Sequence, residues 1–152
     1  MKHNALWLLG LAAVMALLVA GCGGGGDDST STSSLAKPAW IAKADAICQQ
    51  GNQEIEQAAN EQFGKQDQEP TDAQIQQFTN ESVVPSVQRQ IDQIRDLGAP
   101  SGDEDQVNKI LDEAESAIDE TKDDPSVFAS NQDPFKKANQ LATQYGLKEC
   151  GS

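Results

Sequence analysis

Three cysteines, Cys22, Cys48 and Cys150, carry the most specific chemistry in this 152-residue sequence. A thiolate can act as a nucleophile or bind a metal, and two thiols can be oxidised to a disulfide. An apolar run over residues 5–20, broken only by Gly10, precedes Cys22. Because this run is shorter than the ~20 residues of a membrane-spanning helix, it is typical of the apolar region of a signal peptide.

The residues just before Cys22 resemble the recognition site of bacterial lipoprotein signal peptidase. They are Val19, Ala20 and Gly21, and leucine is more usual where Val19 stands. The resemblance implies that the thiol of Cys22 receives a diacylglycerol and that Cys22 becomes the N-terminus of the mature protein. Residues 1–21 would then be a lipoprotein signal peptide. The alternatives are a plain cleaved signal peptide and an uncleaved anchor.

Residues 22–36 begin with the cysteine that the resemblance implies is lipidated and continue with a stretch that has the composition of a flexible tether. The four glycines, two aspartates and the run of serine and threonine after Cys22 cannot bury apolar surface. A coil of this type has an r.m.s. reach of about 20 Å over roughly 14 residues. We therefore expect residues 37–152 to fold as one domain that stands off the bilayer.

With Cys22 acylated, Cys48 and Cys150 remain as an even pair of thiols outside the membrane. A structural disulfide is the usual state of such a pair in an exported protein. A two-thiol metal site would lack histidine ligands, and a redox pair is more often a local Cys-x-x-Cys motif. We predict a Cys48–Cys150 disulfide.

The composition excludes several classes of function. His3 is the only histidine and lies in the predicted signal peptide, which removes histidine general bases, Ser-His-Asp triads and imidazole metal sites from the mature chain. With 11 Lys and Arg against 24 Asp and Glu, the chain also lacks the cationic contacts that nucleic acid requires. Membrane attachment should therefore depend on the acyl chains.

Acidic clusters raise the possibility of a cation site or of two catalytic carboxylates. The run Asp103-Glu104-Asp105 lacks the glycine and the bidentate glutamate of an EF-hand loop, so we interpret it as the solvated start of a helix. No pair of acids is singled out as a glycosidase-type pair. We predict no catalytic residue, no metal ligand and no cofactor.

Apolar residues spaced by three and four predict a long first helix that begins at Pro38 and ends near Phe63. Trp40 and Cys48 lie on its apolar stripe, so both side chains should face the core. Gly51 lies on the same stripe and should let another helix approach closely.

The second predicted helix begins at a capping box, in which Thr71 and Gln74 serve the free N–H groups of the first turn. Pro85 lacks an N–H and its ring clashes one turn back, so we predict a kink or a break near residues 80–82. Gly98, followed by a proline, should end this segment.

Two more helices are predicted from their first and last residues. A second capping box, Ser101 to Glu104, should begin the third helix. Asp124-Pro125 should open a short turn, whereas Asp133-Pro134 should open the fourth helix. Gly146 should end that helix, with Leu147 folding back in a Schellman cap.

Because no strand or repeat pattern competes, we predict an all-α domain, a small bundle of about four helices. Its core is lean, since 21 of the 116 residues from Lys37 onward are Leu, Ile, Val or Phe. The segments 44–48, 98–104 and 145–150 resemble small exported two-cysteine helical domains of high-GC Gram-positive bacteria. This resemblance supports the two-cysteine bundle and implies no activity.

These features predict a membrane-anchored exported lipoprotein that acts as a non-catalytic binding or structural module on the outer face of the cell membrane. Its partners would be the lipid bilayer, through acylated Cys22, and an envelope protein or polymer, but not nucleic acid. The alternatives are an envelope enzyme that uses paired carboxylates and a small-ligand carrier. A carrier requires an apolar cavity, for which the lean core leaves little lining material, whereas a convex bundle without a cleft would favour the first function.

Overall fold

The computed structural model describes residues 34–65, 68–128 and 133–152. The regular secondary structure of these residues is helical. The helices are α1 (Lys37–Phe63), α2 (Asp72–Phe78), α3 (Val84–Asp96), α4 (Glu104–Asp123) and α5 (Lys136–Tyr145). A π-helical turn (Thr79–Val83) joins α2 directly to α3, and a 3-10 turn (Pro125–Val127) follows α4. The predicted all-α bundle of about four helices is therefore confirmed.

The packing order of the bundle follows from the helix contacts. Helix α3 packs against both α1 and α4, and α4 packs against α5. None of the described helices combines the length and the apolar character that are needed to cross a membrane. The predicted lipidation site Cys22 and the recognition residues Val19, Ala20 and Gly21 lie outside the described residues.

Helix α1 buries the stripe that its sequence predicts. Trp40, Ala44, Cys48 and Gly51, spaced by four, four and three residues, are its buried positions. Pro38 lies in the first turn, where its missing N–H would have had no partner within the helix.

Gly51 lies where α3 packs tightly against α1. A Cβ atom at this position would overlap the Gln90 side chain, and the Ser86 hydroxyl donates a hydrogen bond of 3.4 Å to the Gly51 carbonyl oxygen. The predicted close approach of a second helix is confirmed.

The predicted capping box and the predicted break are both present in the second helical segment. The Thr71 hydroxyl accepts from the Gln74 N–H at 3.4 Å, and the Gln74 side chain accepts from the Thr71 N–H at 2.9 Å. The π-helical turn lies just before Pro85, because the proline cannot donate the hydrogen bond that would continue an α-helix through this region.

The second predicted capping box is wrong. Helix α4 has Asp103 as its N-cap residue, but the Asp103 side chain makes no capping hydrogen bond. Its carboxylate instead accepts from the Tyr145 hydroxyl at 2.8 Å and lies 3.2 Å from the Lys37 ammonium group. The Glu104 carboxylate accepts from the Gly102 N–H at 2.7 Å. The Ser101 hydroxyl, the predicted cap, is hydrogen-bonded to the Ser34 hydroxyl at 2.7 Å, so neither member of the predicted box makes its capping bond.

The last helix begins slightly later than its sequence predicts and ends as predicted. Asp133 accepts from the Phe135 N–H at 2.9 Å and so caps a turn that leads into α5. At the other end Gly146 has φ 110°, and the Leu147 N–H donates to the Ala142 carbonyl at 3.0 Å. Since Leu147 is also buried, the predicted Schellman cap is confirmed.

Candidate functional site

The two predicted disulfide cysteines meet beside the core. The Cys48 and Cys150 sulfurs are bonded at 2.03 Å, with the Cα atoms 5.1 Å apart. Cys48 is buried on α1, whereas Cys150 lies in the C-terminal segment that follows α5. The bond confirms the predicted pairing and ties the end of the chain to the middle of α1.

Two side chains of α1 hold the same C-terminal segment. One Asp45 carboxylate oxygen accepts from the N–H groups of Lys148 and Glu149 at 2.9 and 3.0 Å. The Asn52 side chain donates to the Glu149 carbonyl oxygen at 3.2 Å. The C-terminal segment is therefore fixed to α1 by the covalent bond at Cys48 and by hydrogen bonds to Asp45 and Asn52, which lie on either side of Cys48 along the helix.

An apolar cavity of about 210 Å³ lies among α1, α3, α4 and α5, and we call it the inter-helix cavity. Its apolar walls include residues of α3, α4 and the segment after α5, namely Ile91, Ile94, Val107, Ile110, Leu111 and Leu147. The exposed residues Asn52, Asp133 and Ser152 also line it, so the cavity reaches the surface. An engineered apolar cavity of about 150 Å³ is large enough to bind benzene.

Two residues that line this cavity each carry a buried hydrogen-bond donor without a partner among the described residues. They are Nε1 of Trp40 and Nε2 of Gln90. The Trp40 side chain is 1% exposed and Gln90 is 8% exposed. An unpaired buried donor costs about 1–3 kcal/mol, and both nitrogens are enclosed by protein atoms.

A cluster of Lys37, Asp103 and Tyr145 packs next to Trp40. The Tyr145 ring meets the Trp40 ring edge to face, with 5.6 Å between centroids, and the Lys37 ammonium nitrogen lies 3.8 Å from the centroid of the Tyr145 ring. The hydrogen bond from Tyr145, together with Lys37, lowers the pKa of Asp103. Burial, together with the bond to Asp103, raises the pKa of Tyr145. Both groups therefore stay in the forms that make this bond near neutral pH.

Replacement Tyr145→Phe tests this cluster, because it removes the hydroxyl that donates to Asp103. A carboxyl group with a lowered pKa stabilises the fold above its unfolded pKa, and the stabilisation is lost as pH falls through the folded pKa. The unfolded pKa of Asp is about 3.9. We expect the variant to melt below the wild type at pH 7, and the difference to shrink as pH falls below about 4. Thermal unfolding followed by circular dichroism measures both curves, and a difference that stays constant with pH would contradict the assignment.

No family model, curated protein or solved structure matches this chain.

Among the described residues, four carboxyl groups have clearly shifted pKa values, and none of them lines the inter-helix cavity. Hydrogen bonds from Gln50 and Arg89 lower the pKa of Glu54, a hydrogen bond from Arg95 lowers that of Glu115, and hydrogen bonds from Ser126 lower that of Asp124. These three carboxyl groups and that of Asp103 are therefore ionised near neutral pH, whereas a general acid needs a raised pKa. None of the four residues lines the cavity.

The cavity itself has two acids, Asp133 and Glu149, on its lining. Among the described residues, no group of three or more His, Cys, Asp or Glu side chains is placed to hold a metal ion. The aromatic side chains of Trp40 and Tyr145 are buried in the core.

The site that the structure adds is the inter-helix cavity, which the sequence analysis did not anticipate. Its nearest signal in the sequence is the low content of large apolar residues.

Proposed function

We propose that this protein is a membrane-anchored exported lipoprotein that acts as a non-catalytic binding module of the cell envelope. Acylated Cys22 attaches it to the outer face of the membrane, and residues 22–36 tether the helical domain. The observation that carries the binding function is the inter-helix cavity of about 210 Å³ with its apolar walls. The cavity supports a proposed ligand site inside the bundle, as in a small-ligand carrier, rather than on a convex outer face.

The disulfide supports the exported location. Disulfides persist in oxidising compartments outside the cytoplasm and are rare in the cytosol. The Cys48–Cys150 bond closes a long loop between α1 and the C-terminal segment, so the domain depends on conditions in which this bond survives. A signal peptide that exports the chain supplies those conditions.

The character of the cavity favours binding over catalysis. Its walls are apolar, and the four carboxyl groups with lowered pKa values lie elsewhere. An enzyme that uses paired carboxylates would have to use Asp133 and Glu149 on the cavity lining. Hydrolysis of a cell-wall polymer that is lost in Asp133→Asn or Glu149→Gln, with folding intact, would overturn the non-catalytic function.

The anchor is tested by Cys22→Ser, because the serine hydroxyl cannot take the thioether-linked diacylglycerol. We expect the wild type to remain with the membrane and to carry a lipid mass on Cys22, and the variant to lose that lipid and its retention in the detergent phase. Detergent phase partition and mass spectrometry of the N-terminal peptide measure these two properties.

The matched control is the double variant Cys48→Ser, Cys150→Ser, which removes two thiols and leaves Cys22 in place. It should keep the lipid and stay with the membrane. A wild-type protein without lipid mass at Cys22, or one that partitions into the aqueous phase, would contradict the proposed anchor.

A further inference from the structure

We infer that the inter-helix cavity holds a small, uncharged, apolar molecule while the Cys48–Cys150 disulfide is intact, and releases this molecule when a dithiol reduces the bond. The inference rests on the proposed binding function, because it names the ligand class and the regulation of that same site. It follows from the place of the disulfide in the cavity wall, from the weakness of the other ties on the C-terminal segment, and from the character of the cavity.

The disulfide is part of the cavity wall. Both Cys48 and Cys150 line the inter-helix cavity. Leu147, Glu149 and Ser152 of the same C-terminal segment line it as well, so four of the seven residues 146–152 contribute to the wall. A movement of this segment away from α1 would therefore remove one side of the ligand site.

The covalent bond is the strongest tie on residues 148–152. None of these five residues is buried. Asp45 accepts hydrogen bonds from the N–H groups of Lys148 and Glu149. Asn52, which is exposed, donates to the carbonyl oxygen of Glu149. Water can replace hydrogen bonds at the surface, so each contributes little net stability, and a segment with few buried contacts opens at low free-energy cost.

Leu147 is the point at which this opening should stop. Its side chain is 2% exposed, and its N–H donates to the Ala142 carbonyl in the Schellman cap of α5. These contacts do not involve the disulfide. Loss of the bond should therefore release residues 148–152 and leave α5 packed in the bundle.

The size and the walls of the cavity set the ligand class. An apolar cavity of about 150 Å³ accepts benzene, and this cavity has a volume of about 210 Å³. Most of its surface is apolar, and the charged residues among its described lining are the acids Asp133 and Glu149. Any ion would lose hydration in this space, and an anion would also meet like charge. The ligand is therefore one uncharged apolar molecule a little larger than benzene, and toluene is a suitable probe.

The release step is a thiol–disulfide exchange. A thiolate of the dithiol attacks one sulfur of the Cys48–Cys150 bond and forms a mixed disulfide with it, and the second thiolate of the dithiol then displaces that cysteine. Two electrons and two protons pass from the dithiol to the cysteines. The protein ends with two thiols and the dithiol ends as a disulfide. In the envelope the reductant would be a dithiol protein, and in the test it is dithiothreitol.

Ligand binding and reduction should be linked reciprocally. If reduction weakens ligand binding by a given factor, saturating ligand makes the bond harder to reduce by the same factor. A disulfide that braces the fold without shaping the cavity would not respond to the ligand. The reciprocal effect therefore separates a regulated site from a purely structural bond.

The test uses the lipoprotein in phosphatidylcholine vesicles, with toluene supplied through the vapour so that its free concentration is the same in every sample. Bound toluene is counted above the amount in protein-free vesicles. Alkylation followed by mass spectrometry counts the reduced forms of Cys48 and Cys150. Circular dichroism of the same samples follows the helices.

We expect saturable binding of toluene to the oxidised protein, and about tenfold weaker binding after reduction with the helical signal retained. Saturating toluene should raise the ratio of reduced to oxidised dithiothreitol at half-reduction about tenfold. The variant Cys48→Ala, Cys150→Ala should bind toluene as weakly as the reduced wild type, with or without dithiothreitol.

A matched pair of variants locates the bound probe. Ala114→Leu adds bulk to the cavity wall, so it should abolish toluene binding and the effect of toluene on reduction. Ala46→Leu makes the same change at an exposed position of α1 and should alter neither property.

The outcomes separate this inference from the proposed function. If toluene does not bind the oxidised protein, the inference and the proposed binding function both fail. If toluene binds equally before and after reduction, and Ala114→Leu abolishes that binding, the inference fails and the binding function stands. Loss of the helical signal on reduction would show unfolding of the domain and would overturn release by a local movement.

Discussion

Reduction of the Cys48–Cys150 disulfide is expected to lower the free energy of unfolding by about 4–5 kcal/mol. The two cysteines are 102 residues apart, so the bond removes a large part of the conformational freedom of the unfolded chain. For a domain of this size the loss corresponds to a fall in melting temperature of about 15–20 °C. Thermal unfolding of the wild type with and without a reducing agent measures it.

The control for this experiment is the double variant Cys48→Ala, Cys150→Ala. It should melt near the reduced wild type, and a reducing agent should not change its melting temperature. Titration of the native, unreduced protein should find no reactive thiol at these two positions. Two reactive thiols, or a melting temperature that reduction leaves unchanged, would contradict the predicted role of the bond.

Replacement Trp40→Ala is expected to lower the free energy of unfolding by about 3–5 kcal/mol. Trp40 is 1% exposed and is among the largest fully buried side chains of the described residues. Its edge-to-face contact with Tyr145 adds about 0.5–1.5 kcal/mol beyond the buried area. Loss of the unpaired N–H offsets a small part of this effect. Urea unfolding of the wild type and the variant measures the difference.

Phe63→Ala provides the matched comparison. Phe63 also meets another ring, that of Phe78, with centroids 5.3 Å apart, but it lies partly buried at the end of α1. Its truncation should destabilise the domain clearly less than Trp40→Ala. If both variants lose the same free energy of unfolding, the deeper burial of Trp40 does not give it a larger packing contribution than Phe63, and the prediction is wrong.

A local capping pattern predicted a helix start where no distant residue engages its members. Thr71 and Gln74 are three residues apart, and the predicted capping box is present. Ser101 and Glu104 are also three residues apart, but the Ser101 hydroxyl is hydrogen-bonded to the Ser34 hydroxyl and the Glu104 carboxylate accepts from the Gly102 N–H. Ser34 is distant along the chain, so a local sequence pattern does not contain this competitor.

The disulfide could be predicted and the cavity could not, for different physical reasons. Once Cys22 is assigned to lipid, two cysteines leave one pairing. A cavity depends on how closely helices pack, and an apolar residue that faces empty space has the same spacing as one that faces another side chain. The low content of large apolar residues was interpreted as leaving too little material to line a cavity. A shortage of large side chains instead leaves space between the helices unfilled.

The position of the disulfide also determines how the domain carries mechanical load. If the proposed lipid anchor and tether hold, a pull from the membrane enters α1 at Lys37, and the first covalent branch it meets is Cys48. Only residues 37–47, 11 in number, can be drawn out before the force passes through the bond to Cys150. At about 3.3–3.6 Å per extended residue this is a length of roughly 40 Å. Most of α1 and all later helices lie within the covalent loop, so this pull should draw out only the first turns of α1. Because Trp40 lies in those turns and lines the inter-helix cavity, the same pull should withdraw Trp40 and open the cavity.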